Sequence, residues 1–178
     1  MNRNPIATVA ASLALLSGSL MGCGDGGTPA RQASPAGPLP QGLVVRGKAE
    51  GTHVAAAKAA ARQGEEIVLV GRIGGSEEPF VKGRAVFTIV DPSLKSCADM
   101  DDPDHCKTPW DYCCEDRDAM KRGSATIEIA GPDGRPLPVD LRGTADLVPL
   151  ATVAVTGTVV ERNDAGLLVV RAKRIEVR

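Results

Sequence analysis

Residues 151–160 read Ala-Thr-Val-Ala-Val-Thr-Gly-Thr-Val-Val, a two-residue alternation that suits a strand with one buried face. Val153, Val155, Gly157 and Val159 fall on one side of that strand, and Thr152, Thr156 and Thr158 on the other. Four further runs read as strands: 66–73, ending at Gly74-Gly75; 84–90, stopped by Asp91-Pro92; 124–130; and 167–177. A turn signal, Gly131-Pro132-Asp133-Gly134, follows the third of these and leads into a short apolar run at 137–141. The turn Asn163-Asp164-Ala165-Gly166 makes the last two strands a hairpin. The apolar phase changes between Ala172 and Ile175, which predicts a bulge or a fray there. Aromatic residues are only 2% of the chain, namely Phe80, Phe87, Trp110 and Tyr112. The core is therefore built from Val, Ile, Leu and Ala, which again favours pleated sheet.

Five strands, a glycine inside the first (Gly71) and a compact connection at 143–150 give residues 65–178 a pattern that resembles the OB-fold, a small five-stranded Greek-key barrel. A small β-sandwich is the alternative all-β arrangement. The resemblance implies a binding or structural module, because OB barrels bind oligonucleotides, oligosaccharides or protein loops. Nucleic acid is not expected as a partner. The net charge is −1, and the chain lacks the aromatic platform on which bases stack.

The N-terminus carries a different kind of information. Arg3 supplies a positive start, 6–20 is an apolar segment rich in Ala, Leu and Ser, and Leu20-Met21-Gly22-Cys23 closes it. Gly24-Asp25-Gly26-Gly27 follows. This pattern resembles the lipobox of bacterial lipoproteins. The resemblance implies that residues 1–22 are a removable signal peptide and that Cys23 is lipid-modified. It further implies an exported protein, anchored by its acyl chains to a bacterial membrane, with the domain facing the periplasm or exterior. Its partners would then be that membrane and an envelope protein or glycan. Residues 23–50 read as a flexible tether, with Pro29, Pro35, Pro38 and Pro40 blocking regular structure. A short helix is predicted within 51–64: Thr52 can cap it, 53–63 is alanine-rich, and Gly64 ends it. His53 on that helix reads as a solvated surface residue.

The chemistry-bearing residues gather in the insertion 91–123. It holds Cys97, Cys106, Cys113, Cys114, His105 and the run Thr108-Pro109-Trp110-Asp111-Tyr112. Between Asp91 and Asp118 nine acidic residues face only Lys95, Lys107 and Arg117, a local charge of −6 in a chain whose total is −1. In an oxidising compartment an even set of four cysteines predicts a disulfide framework. Three pairings are possible. A Cys113–Cys114 bond needs a strained ring, so each of the two is expected to pair with Cys97 or Cys106. A Zn or Cu site built from these thiols, with His105 as an added ligand, is the alternative. Thiol redox work ordinarily uses Cys-x-x-Cys, which is absent here. Trp110 and Tyr112 are expected either to pack over this loop or to form a partner-binding patch. The string Asp99-Met100-Asp101-Asp102-Pro103-Asp104 lacks the sixth-position glycine of a Ca²⁺ loop and reads as solvated.

No motif of catalysis is present: no Gly-x-Ser-x-Gly, no His-Glu-x-x-His and no phosphate-cradling glycine loop. An enzyme is not expected, and no cofactor is called for unless the thiols hold a metal.

Overall fold

The computed structural model describes residues 38–101 and 106–178. The lipobox with Cys23, residues 23–37 of the tether, and His105 lie outside the described residues. Seven strands and two α-helices follow in chain order: β1 (Val44–Arg46), β2 (Thr52–His53), α1 (Val54–Ala60), β3 (Glu66–Ile73), β4 (Val86–Val90), α2 (Arg117–Gly123), β5 (Ser124–Glu128), β6 (Thr152–Arg162) and β7 (Leu168–Val177).

Five of these strands close into a barrel. β3 runs antiparallel to both β4 and β6. β4 pairs antiparallel with β5, β5 parallel with β7, and β7 antiparallel with β6. The ring β3-β4-β5-β7-β6 is the OB-like Greek-key order, with the cysteine-rich insertion between β4 and β5. The sandwich alternative is set aside, because every strand of the described residues belongs to one continuous sheet. β3 pairs with β6 from Glu66 to Arg72 but with β4 only at Arg72 and Ile73, so it changes partners at its far end. Gly71 sits at that change. A Cβ there would lie 3.0 Å from both Ile89 Cβ and the Val90 carbonyl oxygen.

The alternation of β6 carries into burial, with one exception: Ala154 on the outward face is also buried, clustered with Ala49 and Val70. Val153, Val155, Gly157 and Val159 are buried, while Thr152, Thr156 and Thr158 are half-exposed. Gly157 is required by contact, since a Cβ on it would stand 2.4 Å from the Arg171 carbonyl oxygen. The bulge falls where the apolar phase changes: Thr156 pairs with Arg174 and Gly157 with Ala172, leaving Lys173 as the extra residue. Leu69, Phe87, Ile89, Ile127, Val155 and Ile175 are all fully buried in the barrel interior. The core is nearly all aliphatic, as the scarcity of aromatics requires.

Two details differ from the sequence reading. β1 lies within the stretch read as tether, pairing parallel with β7 at Ile175–Val177, and Leu43 beside it is buried. The ordered domain therefore reaches back to residue 43, with β1 added to β7 outside the closed ring. The helix α1 is shorter than 53–63 and ends at Ala60, before Gly64. Its N-cap is His53, with no side-chain cap bond, so Thr52 does not play that part. Instead the Asp91 carboxylate accepts the Ala55 N–H at 2.8 Å from across the chain. In the apolar run 137–141, Leu137 N–H donates to the Ile129 carbonyl and the Leu137 carbonyl accepts from Ala85 N–H, while Leu141 is buried in the core.

Val54, Ala57 and Ala61 turn inward from α1 onto the barrel. The described residues fall in one compact unit with a closed sheet and its own core.

Candidate functional site

The insertion is ordered by backbone pairing between its two arms. Cys97 N–H donates to the Asp111 carbonyl at 2.8 Å, and Ala98 N–H to that of Pro109 at 2.9 Å. A single 3-10 turn, Cys97–Asp99, starts at Ser96, whose N–H and hydroxyl both reach the Asp99 carboxylate. Arg72 of β3 pairs with the same carboxylate and fastens this arm to the barrel. The second arm lies flat against Gly74-Gly75 at the end of β3. Gly75 N–H donates to the Trp110 carbonyl at 3.1 Å, and a Cβ on Gly74 would sit 2.6 Å from that same oxygen. The α2 helix then leads into β5, its first N–H groups capped by Asp116.

These anchors bring the cysteines together. The Cys113 sulfur lies 3.5 Å from that of Cys97 and 3.5 Å from that of Cys106. The three sulfurs are all within 4.8 Å of one another, and Cys114 lies 3.9 Å from Cys113. Cys97 is buried at the floor, Cys106 is half-buried, and Cys113 and Cys114 are exposed. A disulfide bond measures about 2.05 Å. No sulfur pair among the described residues is at that distance. Burial, with contacts to Cys106 and Cys113, pushes the Cys97 thiol up to about 12. Contacts from Cys106, Cys97 and Cys114 hold the Cys113 thiol below its ordinary value, making it the first of the cluster to ionise.

The aromatic residues of the insertion divide. Tyr112 is a packing residue, 3% exposed with its ring against Gly74, and so offers no face to a partner. Burial raises its hydroxyl to about 12, and that hydroxyl has no hydrogen-bond partner among the described residues. Trp110 is half-buried and donates its indole N–H to the Glu77 carbonyl at 2.9 Å. The Arg142 guanidinium lies 5.5 Å from the ring centroids of both Trp110 and Phe80, and pairs with Glu78. These contacts pin the loop to the barrel.

The acids are also put to structural use. Asp91 is buried and accepts from Ala55 N–H and from the N–H and hydroxyl of Ser93. Burial opposes its ionisation, and these donors outweigh it, so its pKa stays below the usual carboxylate value. His53 is exposed, as expected, and stands 3.9 Å from Asp91.

No family model and no curated protein matches this chain. Among solved structures, the hypothetical protein ygiW from E. coli is similar, at 15% identity over 72% of this chain and 90% of that one, with a TM-score of 0.36. Among the described residues, no helix is long and apolar enough to cross a membrane.

Proposed function

We propose that this chain is a lipid-anchored protein of the bacterial envelope whose barrel holds a soft-metal site in the thiols of the 91–123 insertion. Zn²⁺ and Cu⁺ are the ions that suit such ligands. The observation that carries the reading is the position of Cys113, which stands equally far from Cys97 and Cys106. One shared thiol between two others is the arrangement of a common ion, whereas disulfides demand exclusive pairs. Tetrahedral zinc with sulfur at about 2.3 Å places its ligand sulfurs about 3.8 Å apart. The separations of 3.5, 3.5 and 3.9 Å lie close to that value. Cys97, Cys106 and Cys113 would be the first three ligands. Cys114, or His105, which precedes Cys106 in the sequence, would complete the set. A resident metal would supply structural closure of the loop.

A disulfide framework is the second reading, favoured by the oxidising compartment that the lipobox-like segment implies. Intact mass of residues 38–178, purified from an exporting host without a metal-affinity tag, separates the two. Retained zinc or copper with four thiols released by a chelator, and its loss in Cys113→Ser, supports the metal site. A metal-free mass about 4 Da below the reduced value, the loss of four hydrogens, refutes it in favour of two disulfides.

The anchor reading rests on Leu20-Met21-Gly22-Cys23. Cys23→Ala in a lipoprotein-processing host is expected to stop lipidation and leave the chain unprocessed or released from the membrane. Labelled fatty acid still incorporated by that variant would overturn it.

A further inference from the structure

A cavity of about 610 Å³, lined by none of the cysteines, opens between α1, α2 and the turn joining β6 to β7. Its size is that of a small-molecule site. Ala55 and Ala59 contribute apolar wall, and the charged lining is unequal: Lys58, Lys121, Arg122 and Arg162 against Asp118 and Asp164. Two of the cations are already matched. Lys121 pairs with Asp118 at 3.3 Å, and Arg162 with Asp164 at 3.5 Å, in contacts at the solvent-exposed rim. Arg122 makes no ion pair among the described residues, and Lys58 has no carboxylate partner among them either.

Lys58 is an unusual residue to find in this wall. Its helix is alanine-rich and short, yet the side chain is only 7% exposed. The ammonium donates to the carbonyls of Lys121 and Ser124, each at 2.6 Å, at the C-terminal end of α2. Three N–H groups are available to a lysine, so one remains for a ligand. Two uncompensated cations beside an apolar wall draw anions more strongly than the same charges spread in solvent.

We propose that this cavity binds a phosphate group, with the Arg122 guanidinium as its clamp and the Lys58 ammonium as a second cation in the lining. Planar guanidinium forks match phosphate oxygens in pairs, and an ammonium adds a compact point charge. The energetic logic is reciprocal. Burial, helped by the nearby Arg162, has pushed Lys58 down to about 8, and a bound anion relieves that penalty. The phosphate belongs either to a free phosphorylated small molecule or to a lipid headgroup of the membrane that the anchor reading places nearby.

Backbone amide NMR of residues 38–178, titrated with inorganic phosphate against sodium chloride of equal ionic strength, tests the site. Saturable shifts confined to Arg122, Ala165, Gly166 and their neighbours are expected. Arg122→Gln should weaken the apparent affinity at least tenfold. It leaves the Lys58 bridges to α2 in place, so it does not depend on the stability of that helix. Shifts no larger than those from chloride, or an affinity unchanged in Arg122→Gln, overturn the proposal. Co-sedimentation with vesicles of phosphatidylglycerol in phosphatidylcholine, lost in Arg122→Gln, assigns the phosphate to a headgroup. Phosphate shifts without co-sedimentation assign it to a small molecule. Neither outcome depends on the thiol cluster.

Discussion

Val155→Asp is expected to abolish folding of the barrel, whereas Thr156→Asp, one residue along, is expected to leave it folded. Val155 is 0% exposed and stands across from Leu69 of β3 and Ile175 of β7, at the centre of the closed sheet. Removing it forfeits about 1.5–3 kcal/mol of apolar burial. The carboxylate that replaces it finds no donor among aliphatic neighbours, and burying it unpaired costs several kcal/mol more. A domain whose total stability is about 5–15 kcal/mol does not survive the sum. Thr156 is half-exposed and pairs with Val68, itself 39% exposed, and with Arg174, so a carboxylate there keeps its water and gains a nearby cation. Far-UV circular dichroism and thermal melts of the two variants are the measurement. Equal stability of the two would mean that the burial assigned to β6 is wrong.

Gly74→Ala is expected to move the cysteine arm while sparing the barrel. The added Cβ would meet the Trp110 carbonyl oxygen at 2.6 Å and the Tyr112 ring at 3.0 Å, and neither can turn aside as a flexible side chain would. Overpacking of this kind typically costs about 1–3 kcal/mol. The barrel strands have their own ladders, so the strain is released most cheaply by lifting 109–113 off Gly75. Cys113 ends that segment and moves with it. Under the metal reading, competition against a chromophoric chelator should then show at least a tenfold loss of zinc affinity, while cooperative unfolding of the barrel persists. Unchanged affinity in a folded Gly74→Ala would separate the thiol cluster from this anchoring contact.

Both expectations combine local and non-local information in different proportions. The β6 face was legible in the sequence because side-chain alternation is a property of consecutive residues. The same is true of the bulge at Lys173, which left its mark as a phase change between Ala172 and Ile175. Helix α2 also had a local signal, Asp116 as N-cap before Ala119-Met120-Lys121-Arg122 and Gly123. Surrounded by cysteines and acids, it reads instead as part of the cysteine-rich insertion 91–123. That element was available and was missed.

What the sequence by itself determined is the all-β character, the places of the five barrel strands, the aliphatic core and the segment where chemistry gathers. Each depends on periodicity, turn residues or composition, and these act over a few neighbours. Only the tertiary structure decided the rest. β1 became a strand because β7 offers it a parallel edge some 130 residues away, which no property of Val44–Arg46 announces. Asp91 caps a helix 36 residues earlier in the chain, and Lys58 closes the end of one more than 60 residues later. Cys113 meets both Cys97 and Cys106 because Gly74-Gly75 and Arg72 fasten the two arms of one loop to the same strand. Contacts of this kind join residues whose separation in sequence carries no pattern, so they exist only once the barrel has closed.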